Sequence, residues 1–123
     1  MTEFDEASVR TFLKQFKSAA RRRHGGLGVF EANDVLADLG VTRKSCVDEI
    51  LSLSVEDYSS GPDPDHGAPG EIWVFGVSIN GVEVYIKLKL AEYEGNPIPK
   101  CLSFHRANEP LYYPFRNSAV QTQ

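Results

Sequence analysis

Residues 82–90, Val82-Glu-Val-Tyr-Ile-Lys-Leu-Lys-Leu90, alternate apolar and polar side chains. A period of two places successive side chains on opposite sides of a β-strand, so the pattern predicts a strand with one buried and one open face. The apolar face carries every second residue, namely Val84, Ile86, Leu88 and Leu90. The open face then carries Glu83, Tyr85, Lys87 and Lys89.

The stretch Cys101-Leu-Ser-Phe-His-Arg106 shows the same alternation and predicts a second strand. Leu102 and Phe104 share its apolar side, whereas Ser103 and His105 share the other side. If both strands place their apolar faces in one core, a phenol, two ammonium groups and an imidazole gather on one open face. These groups belong to Tyr85, Lys87, Lys89 and His105.

The sequence before residue 82 predicts the first strand of a hairpin. Glu71-Ile-Trp-Val-Phe-Gly-Val-Ser-Ile79 is apolar on both sides, as expected of a central strand. Asn80-Gly81 is a strong signal for a two-residue turn, so this strand should turn back antiparallel into the next one. After a turn at 94–97, the third strand of the predicted meander covers 100–106.

The N-terminal part of the chain predicts helices. Residues 6–23 carry apolar side chains at three- and four-residue spacing, and Gly25-Gly26 ends the pattern. A short helix is predicted for 31–39. Thr42 is a suitable N-cap for a third helix that ends near Leu53.

Two segments are predicted to lack regular structure. Residues 59–70 are rich in Gly, Pro, Asp and Ser and have no apolar period, which predicts a mobile loop. Residues 117–123 are predicted to be a frayed tail. Helices followed by a meander predict a single α+β domain over 1–123, with N-terminal helices packed on a mainly antiparallel sheet.

The composition is typical of a globular chain of 123 residues, with 41% hydrophobic and 24% charged residues. No apolar run is long enough to cross a bilayer, and the acidic N-terminus does not resemble a signal peptide. Cys46 and Cys101 are predicted to be buried free thiols, so we expect a cytoplasmic protein with no metal, cofactor or membrane partner. The net charge of −4 argues against nucleic-acid binding through a general positive field, but it permits a small basic cleft.

Five strings follow one another along most of the chain, from about Phe12 to His105. They are Ala32…Leu36-Ala-Asp-Leu-Gly40, Ile50-Leu-Ser-Leu-Ser-Val-Glu-Asp-Tyr58, Glu71-Ile-Trp73, Gly81-Val-Glu-Val-Tyr-Ile-Lys-Leu88 and Leu102-Ser-Phe-His105. Their order and spacing resemble the MqsR-type toxins of bacterial type II toxin–antitoxin systems, within the RelE-like group of RNA-cleaving toxins.

The resemblance implies a RelE/MqsR-like fold and an endoribonuclease that cleaves mRNA and is silenced by a cognate antitoxin. Nothing in the sequence indicates whether the ribosome takes part. In the family, the tyrosine that aligns with Tyr85 belongs to the catalytic set, and His105 stands where the family has a catalytic lysine. Two further positions differ, because Ser59 and Ser60 replace a lysine and Val74 replaces a glutamine.

Cleavage of RNA without a metal needs a base for the 2′ hydroxyl, a cation for the developing charge and an acid for the leaving 5′ oxygen. An imidazole gains and loses protons near neutral pH, so His105 is the first candidate. Tyr85 is a candidate donor and Lys87 a candidate cation, which completes the predicted catalytic set. RNA contacts are predicted for Lys89, Arg106 and Arg116, although alternation places Arg106 on the face opposite His105.

Other interpretations stay open. The missing family lysine and glutamine also fit a catalytically silent member of the fold that acts only as a protein-binding partner of its antitoxin. An unrelated α+β ligand-binding domain is the third interpretation. A solvent-exposed face of a sheet carries Tyr, Lys and Glu even where it has no functional site. In that case Glu83 would pair with a lysine across the sheet. Asp63, Asp65 and His66 lack a further ligand group for a metal site.

Overall fold

The structure is a computed structural model that describes residues 5–23, 26–31 and 35–116. Within these residues, three helices and a five-stranded sheet form an α+β fold, which confirms the predicted class. In chain order the elements are α1 Glu6–Arg21, β1 Val29–Phe30, α2 Val35–Leu39, α3 Arg43–Leu51, a 3₁₀ turn Val55–Asp57, β2 Tyr58–Pro64, β3 Glu71–Ile79, β4 Val82–Tyr93 and β5 Asn96–Arg106.

The strands lie in the order β1-β5-β4-β3-β2, and β2 to β5 form an antiparallel meander. Only the two-residue β1 runs parallel to its neighbour β5. The hairpin at Asn80-Gly81 is confirmed, because both residues adopt positive φ angles of 52° and 81°. Such angles match the right-handed twist of the flanking strands.

Helix α1 covers one face of the sheet, called here the helix face. Asp5 caps its start by accepting a hydrogen bond from the backbone N–H of Ser8 at 2.9 Å. The ring of Phe12 stacks on Trp73 of β3 with centroids 4.6 Å apart, and Phe16 is fully buried beneath the helix. Burying each such side chain contributes about 1.5–3 kcal/mol, so the apolar stripe holds α1 on the sheet.

Helix α3 begins where the sequence predicts, whereas Glu31, the predicted start of the short helix, is not helical. Thr42 caps α3 through a reciprocal pair of hydrogen bonds with Ser45, as a capping box requires. The described part of the short helix is limited to 35–39, because the predicted residues 32–34 lie outside the described residues. Residues 117–123, predicted as a frayed tail, also lie outside them.

The prediction of a loop over 59–70 is wrong for its first half. Residues 59–64 belong to β2, which pairs antiparallel with β3 through two register shifts. Pro62 and Pro64 lack a backbone N–H, and a strand with one free edge tolerates this because not every N–H is needed for pairing. Within the predicted segment, only residues 65–70 form a loop.

A bulge interrupts the pairing of β4 with β5. Lys87 pairs with Ser103 and Leu88 pairs with Cys101, so Leu102 is the extra residue. As a result Cys101 and Phe104 both point into the core, whereas Leu102 is only half-buried and lies outside it. The prediction that Leu102 shares the core face with Phe104 is therefore wrong.

Both cysteines are buried free thiols, as predicted. Burial raises the pKa of Cys101 to about 12 and also raises the pKa of Cys46, so both thiols stay protonated at neutral pH. Among the described residues, no helix is long and apolar enough to span a bilayer.

Candidate functional site

Tyr85 and His105 are direct partners across β4 and β5, on the face of the sheet opposite α1, called here the open face. Their rings stack with centroids 4.9 Å apart and planes 15° apart, and both residues are half-buried. Two of the three residues that the sequence places in the catalytic set are thus brought into contact.

The hydrogen bond of His105 defines which ring nitrogen is basic. Its Nδ1 lies 2.7 Å from the backbone carbonyl oxygen of Arg106. A carbonyl oxygen only accepts hydrogen bonds, so Nδ1 carries the proton of the neutral ring. The Nε2 atom of His105 is then free to accept a proton from a substrate.

The environment of Tyr85 favours its protonated form. Burial raises the pKa of the phenol, and the negative charge of Asp63 on β2 raises it further. The group is therefore a hydrogen-bond donor at neutral pH and is not a base.

Lys87 lies two residues further along β4 on the same open face and is half-buried. Its register partners are Val74 on β3 and Ser103 on β5. In the described part of the chain it has no carboxylate partner within ion-pair distance. Its ammonium group is thus available for an anion beside the Tyr85–His105 pair.

Lys89 does not present a free charge on the open face, contrary to the prediction. Its side chain is covered by the 65–70 loop, and only 3% of the residue is exposed. The ammonium donates to Asp65 Oδ2 at 2.6 Å, and the lysine lowers the pKa of that carboxyl. The sequence alternation placed Lys89 on the correct face but could not show that a loop folds over it.

The two predicted RNA-binding arginines do not join the site. Arg106 lies on the helix face, where its Nε donates to Asp38 of α2 at 2.5 Å. Arg116 lies over the ring of Tyr113, 3.6 Å from its centroid, and donates to the carbonyl of Glu56 at 3.1 Å. Each guanidinium group is therefore used to join elements of the fold.

Residues 111–116, called here the C-terminal strap, cross the open face, and of these only Arg116 was predicted to belong to the site. A Cβ at Gly76 would lie 2.5 Å from Leu111 Cδ1 and closer still to Tyr113 Oη, so only glycine leaves room for the strap. The carboxylate of Glu83 accepts from the Leu111 N–H at 3.2 Å and from the Tyr113 hydroxyl at 2.7 Å.

This contact corrects the expectation that Glu83 pairs with a lysine. Burial and the Glu83 carboxylate together raise the pKa of Tyr113 well above its usual range, so the Tyr113 hydroxyl remains a donor. The sequence feature that could have indicated the strap is Gly76, because a glycine inside an apolar strand often marks a close approach of another segment.

Lys100 is a second cation that the sequence interpretation missed. It is the register partner of Lys89, so it lies on the open face and is half-buried. No ion pair is found for it within the described residues. In strict alternation Lys100 would lie on the face opposite Ser103 and His105. The bulge at Leu102 shifts the alternation by one residue and brings Lys100 to their face, so the sequence pattern did not reveal it.

One groove lies away from this site. A groove of about 700 Å³ between α1 and β3 is lined in part by Phe12, Trp73 and Leu90, and its lining includes neither Tyr85 nor His105. The candidate site is a surface with polar groups, a form that suits an extended polyanion better than a small enclosed ligand.

No group of three or more His, Cys, Asp and Glu side chains is arranged to hold a metal ion in the part of the chain that the structure describes. No family model, curated protein or solved structure matches the chain.

Proposed function

We propose that this chain is a metal-independent endoribonuclease that cleaves mRNA, the toxin component of a type II toxin–antitoxin system. The observation that carries the proposal is the stacked Tyr85–His105 pair with Lys87 next to it on the open face. The pair supplies a base and a donor, and the lysine supplies a positive charge. These are the three groups that cleavage of an RNA phosphodiester requires.

The proposed reaction is an internal transfer at one phosphate. His105 Nε2 accepts the proton of the 2′ hydroxyl as its oxygen forms a bond to phosphorus. Lys87 stabilises the negative charge that develops on the phosphate oxygens. Tyr85 donates a proton to the 5′ oxygen as its bond to phosphorus breaks. The products are a 2′,3′-cyclic phosphate and a 5′ hydroxyl. The imidazolium of His105 then releases its proton to water and the phenolate of Tyr85 takes one up, which restores the enzyme.

The biological setting is proposed from the sequence resemblance. The cognate antitoxin is the expected protein partner, the cytoplasm is the expected location, and the fold is proposed to be RelE/MqsR-like. A helix packed on an antiparallel sheet is compatible with that fold.

A catalytically silent protein that binds the antitoxin is the second candidate. The observation that favours it is that the three predicted RNA-binding cations form ion pairs within the chain and are not free to bind RNA. These residues are Lys89, Arg106 and Arg116. Lys87 and Lys100 are then the lysines left for a polyanion on the open face.

The deciding experiment is cleavage of a long, weakly structured RNA by purified protein in EDTA. We expect discrete products from the wild type and from His66→Ala, which removes an exposed histidine of the 65–70 loop. His105→Ala should cleave about 10²-fold more slowly, the usual effect of losing a general base.

Expression in a bacterial host provides the second readout, because it also covers cleavage that needs the ribosome. Growth arrest that His105→Ala relieves supports the proposal. If the wild type neither cleaves RNA nor arrests growth, the enzyme proposal is wrong and the silent-partner interpretation takes its place.

A further inference from the structure

Among the residues that the structure describes, Tyr112 is the most solvent-exposed large apolar side chain, with 75% of its surface accessible. Its neighbours are not exposed in this way, because Leu111 and Tyr113 are both half-buried against the sheet. An exposed aromatic ring between two anchored residues suggests a contact surface, because an aromatic ring gains from being covered.

The strap holds this ring next to the candidate site. Leu111 and Tyr113 both approach Gly76, and Gly76 is the register partner of Tyr85. Because Leu111 and Tyr113 face the sheet at Gly76 and Tyr112 between them is exposed, the ring of Tyr112 points away from the sheet. The strap therefore holds this ring above β3, the strand next to the one that carries Tyr85.

The strap is anchored to the sheet on both sides of Tyr112. Glu83 accepts its two hydrogen bonds from Leu111 and Tyr113 on one side. On the other side, Phe115 stacks on Tyr58 with ring centroids 5.4 Å apart. A ring on an anchored backbone loses little conformational freedom when it binds, which suits it for recognition.

We propose that Tyr112 stacks on an RNA base adjacent to the scissile phosphate, so that the site takes single-stranded RNA. This inference rests on the proposed ribonuclease function. An aromatic ring stacks on any unpaired base because every base has a π-face, whereas a base inside a duplex is already stacked on both sides. The phosphate lies at Tyr85, His105 and Lys87, and the base next to it rises beside the strap.

The test measures binding separately from cleavage. A fluorescein-labelled, fully 2′-O-methylated RNA oligonucleotide cannot be cut through its 2′ oxygens, and its affinity is followed by fluorescence anisotropy at fixed salt. Tyr112→Ala should bind the single strand about 5- to 160-fold more weakly than the wild type, the range for loss of one base–aromatic stack. Tyr112→Phe keeps the ring and should bind like the wild type, and duplex RNA should bind weakly to all variants.

Tyr93→Ala is the matched control. Tyr93 is also exposed, at 66%, but it lies eight residues along β4 from Tyr85, about 26 Å away. If the wild type binds RNA and Tyr112→Ala binds as well as Tyr93→Ala, the stacking proposal is wrong and the ribonuclease proposal stands. If the wild type binds no RNA at all, both proposals are wrong.

Discussion

The ring of Tyr85 is held between a histidine on one strand and a glycine on another. This position buries part of the phenol and keeps its proton in place, since both burial and Asp63 disfavour the phenolate. In the proposed reaction the tyrosine therefore acts as a donor from its protonated form, while the neighbouring His105 takes up the proton of the 2′ hydroxyl.

We predict that Tyr85→Phe lowers kcat about 10²-fold at pH 7, because it removes the donor and keeps the ring. The raised pKa of Tyr85 lies above the ordinary value of about 10, so the wild-type rate should show no loss from phenol ionisation up to pH 9.5. The measurement is kcat between pH 6 and pH 9.5 for the wild type, Tyr85→Phe and the distant Tyr93→Phe.

An unchanged rate for Tyr85→Phe would contradict the donor assignment. Urea unfolding of the same variants should give equal midpoints for the wild type and Tyr85→Phe, since the hydroxyl makes no hydrogen bond to another described residue. A large loss of stability would show that the rate effect comes from the fold.

At the scale of elements, the 65–70 loop is attached to the sheet by one buried ion pair. Lys89 lies almost fully buried beneath it, and Asp65 supplies the opposite charge. Losing one partner of such a pair leaves an uncompensated charge in a poorly solvated place. The loop therefore contributes to the stability of β4, although its own sequence is polar and rich in glycine and proline.

We predict that Asp65→Asn lowers the urea midpoint at pH 7 and that this difference disappears at low pH. The pKa of Asp65 is lowered in the folded state, so its contribution is complete above the unfolded value of about 3.9 and is lost as the pH falls through the folded value. Urea unfolding at pH 7, 5 and 3 measures the trend.

Asp63→Asn provides the control for this change, because Asp63 is an exposed carboxylate for which no ion pair is found in the described residues. It should leave the midpoint at pH 7 nearly unchanged. Equal effects of the two substitutions at all three pH values would mean that net charge, and not the Lys89 contact, controls stability.

Elements with a local signal could be predicted from the sequence, whereas elements that depend on distant partners could not. The Asn80-Gly81 turn and the Thr42 cap are decided by neighbouring residues, and both are confirmed. Strand β2 has the composition of a loop and becomes a strand only because β3 offers a free edge. The covering of Lys89 likewise depends on a loop about 24 residues away in sequence.

At the scale of the whole molecule, the chain covers both faces of one sheet. Helix α1 packs on the helix face, and the C-terminal strap crosses the open face over Gly76. Arg116 connects the strap to the 3₁₀ turn, because it donates a hydrogen bond to the carbonyl of Glu56 and forms an ion pair with Asp57. The polar surface that remains beside the strap is the candidate site, so the strap defines one of its borders.

We predict that Gly76→Val displaces the strap and lowers the free energy of unfolding by about 1–3 kcal/mol, as overpacking does. The new side chain would occupy the space of Leu111 and Tyr113. Ser78→Val, on the same face of β3 but exposed, is the control and should have little effect. Urea unfolding gives the energy, and the rate of chymotrypsin cleavage after Tyr112 reports release of the strap.

Similar midpoints and similar cleavage rates for the two valine variants would show that the strap is not anchored at Gly76.

The candidate site itself was predictable only in part. Alternation placed Tyr85, Lys87 and His105 together, but neither the strap nor Lys100 follows from a local pattern.

The bulge at Leu102 has a consequence for how this sequence can change in length. Because Leu102 is an unpaired extra residue, its deletion restores simple alternation from Cys101 to His105 and leaves the imidazole opposite Tyr85. A one-residue deletion within the paired part of β4 instead turns every following side chain to the other face. Natural insertions and deletions should therefore be tolerated at the bulge and eliminated from β4.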